Sequence, residues 1–311
     1  MKSNKTTKFI HNFKRDWQLY LLSLIPVIYI VIFHYGPMYG IQIAFRDYLP
    51  VHGITGSEWV GFKWFEKFLT SVKFKEVFLN TVILSLYTIA VTFPLPIIFA
   101  LMLNALRSDK YKRVAQTISY MPHFISTTVV VAILNMVLSP INGIYGNMFR
   151  LFGGTGYPTD IRTTAEAFRH LYVWSDVWKQ LGWESIIYVA ALSGVSHELH
   201  EAAQLDGASR FKRMLYVDFP TILPTVCIML IMRCGGLVAI GFDKVYQMQQ
   251  TTNLKTSEVI STYVYKVGMG SFKDFSYGAA VGLFNSAINL TLLVIVNRIS
   301  KKMTEDEVSL F

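Results

Sequence analysis

The residues with the most versatile chemistry in this sequence are its histidines, and His197 and His200 stand close together in the stretch HELH. A zinc-protease helix needs His-Glu-x-x-His, which places two imidazoles on one face with a general base between them. HELH is one residue short of that spacing. Residues i and i+3 can still share a helical face, but no third ligand is evident, and His34, His123 and His170 lie far away in sequence. Two histidines at the surface are the simpler reading. Cys227 and Cys234 are seven residues apart with no metal-ligand spacing around them, which suits two small buried apolar residues. Neither a Ser-His pair nor paired carboxylates stand out, so the expectation is no catalytic residue and no metal site.

Two charges are harder to dismiss. Glu184 and Arg233 fall inside strongly apolar stretches. Ionisable groups at such depth are costly and by default face a cavity or pair with each other. Tyr188, one turn beyond Glu184, and Asn285 and Asn289, spaced i and i+4, are candidates to share the same wall. Together they form a candidate pathway for a polyhydroxylated substrate, with Arg233 paired to Glu184 or turned toward an acidic group. The competing reading is that these groups only hold helices together.

The elements that would position them follow from composition. The chain has 311 residues, 52% hydrophobic and 16% charged, where soluble domains carry roughly 25% charged residues. Six stretches reach the roughly 20 apolar residues of an α-helical span: 19–36, 78–103, 115–138, 172–195, 221–242 and 276–299. The expected fold is an all-α polytopic membrane protein: an N-terminal tail over 1–18, a six-helix domain over 19–299 and a C-terminal tail over 300–311. The first stretch follows a basic segment as a signal peptide would, but it is long and lacks a small-residue cleavage site, so it reads as a retained anchor. The net charge of +9 is spread over loops and tails rather than gathered into a nucleic-acid patch. Lys and Arg are denser in the two tails and in the segments near 104–114 and 196–220 than in the remaining loops, which places both termini in the cytoplasm.

Several spans carry special features. Pro94 and Pro96 must kink or break the second. Trp174, Trp178 and Trp183, with Asp176 and Lys179, suit an interfacial belt at the outer half of the fourth. Residues 62–77 read as one amphipathic helix with Phe62, Phe65, Phe68 and Leu69 on its apolar face. Between the fourth and fifth spans, EAAQLDGASRFKRMLYVDFP (201–220) reads as a soluble helical hairpin. Leu199, Ala202, Ala203 and Leu205 are available for one face, Gly207 supplies the turn, and Ser209 caps a second short helix through Phe211, Met214 and Leu215 that Pro220 ends. So lean a chain offers this apolar face no obvious partner, which calls for another protein.

The pattern Glu201-Ala202-Ala203, three residues, Gly207, nine residues, then Val217-Asp218-Phe219-Pro220 resembles the signature of permease subunits of binding-protein-dependent ATP-binding-cassette importers. Phe219 stands where that signature has leucine. The stretches RDWQLYLLSLIPVIYIVIFHYGPMYGIQIAFRDY, MPHFISTTVVVAILNMVLSPINGIYGN and SEVISTYVYKVGMGSFKDFSYGAAVGLFNSAINLTLLVIVNR extend the resemblance over nearly the whole chain, toward the branch for complex oligosaccharides and uronic-acid-containing glycans. The resemblance implies a type I importer permease fold in a bacterial cytoplasmic membrane, with 197–220 as the coupling loop that docks on an ATPase. Within it Glu201 makes polar contact, Ala202, Ala203 and Leu205 fill the groove and Gly207 makes the bend, with Asp206, Phe211 and Pro220 also assigned to ATPase coupling. It further implies a second, homologous permease, two ATPase subunits, an external solute-binding protein and an oligosaccharide substrate. The chain contains no G-x-x-x-x-G-K-S/T phosphate loop, so it is expected to bind no cofactor and to be no enzyme, ATP and Mg being used by the partner ATPase. The rival reading is an ion-coupled secondary transporter or channel built around Glu184 and Arg233, which gives the hairpin no role.

Overall fold

The computed structural model describes residues 5–235, 241–270 and 273–303. Its principal helices are α1 (Lys5–Ile30), α2 (Lys63–Leu69), α3 (Val72–Thr92), α4 (Pro94–Asn104), α5 (Asp109–Tyr120), α6 (Thr127–Val137), α7 (Ile144–Leu151), α8 (Ala165–Leu192), α9 (His197–Leu205), α10 (Arg210–Arg213), α11 (Phe219–Gly235), α12 (Phe242–Met248), α13 (Ile260–Gly268) and α14 (Phe275–Met303). One two-residue hairpin interrupts the helices, pairing Arg46 with Trp59 and Asp47 with Glu58.

Among the described residues, four helical segments are long and apolar enough to cross a membrane: Arg15–Phe45, Val72–Asn104, Arg210–Arg233 and Phe275–Ile295. A fifth would be the pair Asp109–Phe124 and Thr127–Val137, bent by 101°. The span expected over 115–138 is therefore not one straight helix. Pro122 sits in a 3-10 turn, Met121–Phe124, and Ser126 starts α6 by accepting from the Val129 amide at 3.3 Å. The fourth expected span is α8, 28 residues and so roughly 42 Å long. Glu166, Arg169, Asp176, Lys179 and Glu184 make it far more polar than its neighbours. The break expected at the prolines falls at Phe93, between α3 and α4.

Other boundaries move. α1 begins at Lys5 and is kinked at Asp16, close to the expected boundary at 18, and α14 carries on past 299 to Met303. The end of the fifth span, 236–240, lies outside the described residues, as does the tail from 304. Residues 62–77 do not form one helix. Thr70 closes α2, Ser71 caps α3 by accepting from the Phe74 amide at 3.1 Å, and the four aromatic and aliphatic positions split: Phe68 is buried, whereas Phe62 and Leu69 are exposed.

Packing runs in three layers along α3 and α4. Ala44, Trp64, Phe68, Val77, Ile260 and Tyr277 form one end. Leu84, Phe168, Tyr172, Val173, Val245 and Val259 form the middle, and Ile97, Leu101, Tyr188, Leu192, Ile222 and Val226 the other end. The middle and far layers are joined by α8, which packs against α3, α4, α5 and α11. At Gly182 its backbone meets α5 so closely that a Cβ would lie 2.2 Å from the Ser119 carbonyl oxygen, so only glycine fits there. By contrast, the side chains of α1 from Trp17 onward stay almost wholly exposed, an apolar surface fit for lipid or another subunit.

Candidate functional site

Two regions gather the residues singled out by chemistry. The first lies on α8, whose positions 172, 176, 179, 180, 183 and 184 recur at helical spacing. The Arg233 guanidinium, from α11, donates to Glu184 Oε1 at 2.6 Å and to Thr92 Oγ1 of α3 at 2.8 Å. Three helices thus meet at one ion pair, whose side chains are 32% and 22% exposed, too open for a sealed core contact. One turn earlier, His123 Nδ1 lies 2.7 Å from Gln180 Oε1. Its ring stacks on Trp183 at 4.1 Å with an interplanar angle of 2°. The break at Pro122 is what turns His123 and Phe124 toward α8. A further turn along, Lys244 from α12 reaches Asp176 at 3.3 Å and the Tyr172 carbonyl at 2.8 Å, its ammonium 4.5 Å from the centre of the Tyr172 ring.

The row therefore holds Asp176 and Glu184 against Lys179, Arg233 and Lys244. Two of the three cations have a carboxylate partner; among the described residues Lys179 has only a contact to Thr127 Oγ1 at 3.4 Å. Trp183, assigned from sequence to an interfacial belt, stacks on a histidine. His123, Gln180, Lys244 and Thr92 were missed because they come from four different elements, and only the proline beside His123 hinted at an unusual backbone.

The other expected pathway residues are placed differently. Tyr188 is buried among Ile97, Leu101 and Val226 and packs as core. Asn285 lines a separate apolar groove between α13 and α14 with Ser261 and Tyr265, its Oδ1 buried without a hydrogen-bond partner. Asn289, one turn further on, is half-buried. Cys227 is buried beside Ile231, whereas the Cys234 side chain lies outside the described residues. Among the described residues no group of three potential metal ligands occurs.

The second region is the hairpin. Ser196 caps α9, accepting from the Glu198 amide at 3.2 Å. At its far end Ala208 donates back to the Ala203 carbonyl and Gly207 to that of Gln204, the paired bonds of a glycine-terminated helix. Gly207 has φ +74°, a left-handed conformation that glycine adopts without strain, with open space where a Cβ would project. Ser209 then caps α10. Pro220 does not end this second helix. A π-helical turn over Met214–Asp218 absorbs the missing donor, and the chain continues directly into α11. The tip is bare: Leu205 is 89% exposed and Phe211 67%, with Glu201, Ala202 and Asp206 also exposed and Ala203 half-buried. His200 is not a plain surface histidine, since its Nε2 lies 3.0 Å from buried Asp218, which Asn104 also approaches at 3.5 Å. That contact fastens the hairpin root to the end of α4.

A family model described as binding-protein-dependent transport system inner membrane component matches residues 92–305. The chain belongs to this family. The matched segment takes in α4 through α14, hence both regions just described. Over 98% of its length the permease is 38% identical to the polygalacturonan/rhamnogalacturonan transport system permease protein YteP of Bacillus subtilis, covering 94% of that protein. It is also 38% identical to protein LplB of the same organism, over 98% of the chain and 95% of the relative. Among solved structures, it resembles a chain of a bacterial ABC transporter that imports the acidic polysaccharide alginate, with a TM-score of 0.86 and 36% identity over 96% of this chain and 99% of that one. A second alginate transporter structure, in complex with an alginate pentasaccharide-bound periplasmic protein, matches with a TM-score of 0.87 and 35% identity, again over 96% and 99%. The permease is thus a multi-pass subunit of an ABC importer with a type I fold, and the ion-coupled carrier or channel is set aside.

Proposed function

We propose that this permease translocates an acidic oligosaccharide handed over by an external solute-binding protein, across a bacterial cytoplasmic membrane with both termini inside. It works beside a second, homologous permease and two ATPase subunits. The observation that carries the coupling role is the bare apolar tip, Leu205 and Phe211 set around the Gly207 bend, on the hairpin that follows α8, the helix bearing Glu184. Closure of the ATPase pair would push the hairpin, and α8 would pass that push to its polar row. The chain itself hydrolyses no ATP and holds no cofactor or metal.

The acidic character of the cargo is supported by the relatives, whose names specify polygalacturonan, rhamnogalacturonan and alginate. It agrees with the charges on α8, where Lys179 has no carboxylate partner among the described residues and Trp183 and His123 offer ring faces to a sugar. Asn285, in its separate groove between α13 and α14, and Asn289 one turn on would be further contacts apart from this row. The test is ATP-driven uptake by the reconstituted complex. Oligogalacturonate or oligoalginate should be taken up in preference to a neutral oligosaccharide of equal length, and Lys179→Gln should narrow that preference. Equal uptake of both, unaltered by Lys179→Gln, would remove the acidic-substrate reading while leaving the coupling role standing.

A further inference from the structure

A cavity of about 520 Å³ opens at the root of the hairpin, between the ends of α4 and α8 and the start of α10. Its charge is one-sided. Arg107, Arg210, Arg213, His197 and His200 line it against a single carboxylate, Asp218. That carboxylate is already engaged by His200 and Asn104. Arg213 spends one nitrogen on Gln204 at 3.3 Å, while its Nε is buried with no partner. Arg107 and Arg210 make no side-chain hydrogen bond or ion pair among the described residues. Three guanidinium groups are thus held round one hollow with donors to spare, an arrangement that otherwise costs mutual repulsion.

The hollow is distinct from the bare tip: Leu205, Gly207 and Ala208 are not among its walls. Its walls include the last residues of two spans, Asn104 and Leu192, which sets it at the boundary between apolar core and cytoplasm. Guanidinium groups match phosphate oxygens by paired N–H donors, and basic pockets at cytoplasmic helix ends suit phospholipid head groups. We propose that this cavity binds a phosphate group, either the head group of an anionic phospholipid or a soluble phosphate, and so braces the hairpin root against α4.

The test uses the complete transporter in nanodiscs, with thermal stability as the readout. Nanodiscs of phosphatidylcholine are compared with nanodiscs in which half the lipid is phosphatidylglycerol, and inorganic phosphate is titrated into the former. A stabilisation by phosphatidylglycerol alone assigns the site to lipid; one by inorganic phosphate assigns it to a soluble source. In either case Arg107→Gln with Arg210→Gln should weaken the apparent affinity by about thirtyfold. Lys110→Gln with Lys112→Gln, nearby on α5 but outside the cavity, should leave it unchanged. No stabilisation by either ligand, or an equal loss in both double variants, would overturn the proposal.

Discussion

Arg233 and Glu184, 49 residues apart in sequence and on different helices, meet at 2.6 Å, and the same guanidinium holds Thr92 of a third helix at 2.8 Å. The pair faces charge with charge at a depth where either alone would be costly. Both side chains keep some exposure.

Removing one partner strands the other. Glu184→Gln and Arg233→Met should each lower the thermal stability of the purified complex, by roughly 2 kcal/mol for so incompletely buried a pair. The double variant should recover much of that loss. If the pair also lines the path, uptake stays impaired in the double variant. Full recovery of both stability and uptake would show the contact to be structural only.

The hairpin tip leads to a different expectation. Leu205→Asp with Phe211→Asp replaces two exposed apolar side chains that no other described element covers, so the permease should insert and fold normally. The ATPase should no longer copurify with it. Retained ATPase at wild-type stoichiometry would place the docking surface elsewhere.

On the opposite face of the fold, buried Glu258 accepts from Lys73 at 2.8 Å and from Lys266 at 2.9 Å. Burial pushes its carboxyl up, but the two lysine hydrogen bonds outweigh that and hold it below the usual value of 4.5. A carboxylate stabilised in this way contributes stability that is complete above 4.5 and is lost as pH falls through the lowered value. Thermal stability should therefore decline in acid below about 4.5, and Glu258→Gln should be less stable at neutral pH with a flatter acid limb. An unchanged acid limb in Glu258→Gln would assign the acid sensitivity to other groups.

Legibility in the sequence followed the range of the interaction. The hairpin could be read because its determinants are local: the cap at Ser209 and the left-handed turn at Gly207 lie within a few residues. Its continuation through Pro220 could not, because a π-turn solves the proline problem without ending the helix. The break at Phe93 followed from two prolines. The 101° bend near Ile125 did not, since one proline in an apolar run permits either a kink or a break. Glu184 and Arg233 announced themselves by depth alone. His123, Gln180 and Lys244 carry no such mark, and Tyr188 packs as core where a pathway wall was expected, because which neighbour a helix face meets is decided by packing between distant segments.

The claim at the centre of this account is that the Gly207 hairpin transmits the ATPase stroke to the spans. Its most direct test is the ratio of sugar transported to ATP hydrolysed in proteoliposomes holding the complete complex with Gly207→Val. Valine at φ +74° is strained by about 1–2 kcal/mol, and open space around the site means that nothing else is disturbed. The predicted result is a complex that assembles and hydrolyses ATP but transports far less sugar per ATP than wild type. A wild-type ratio from a correctly assembled Gly207→Val complex would contradict the account.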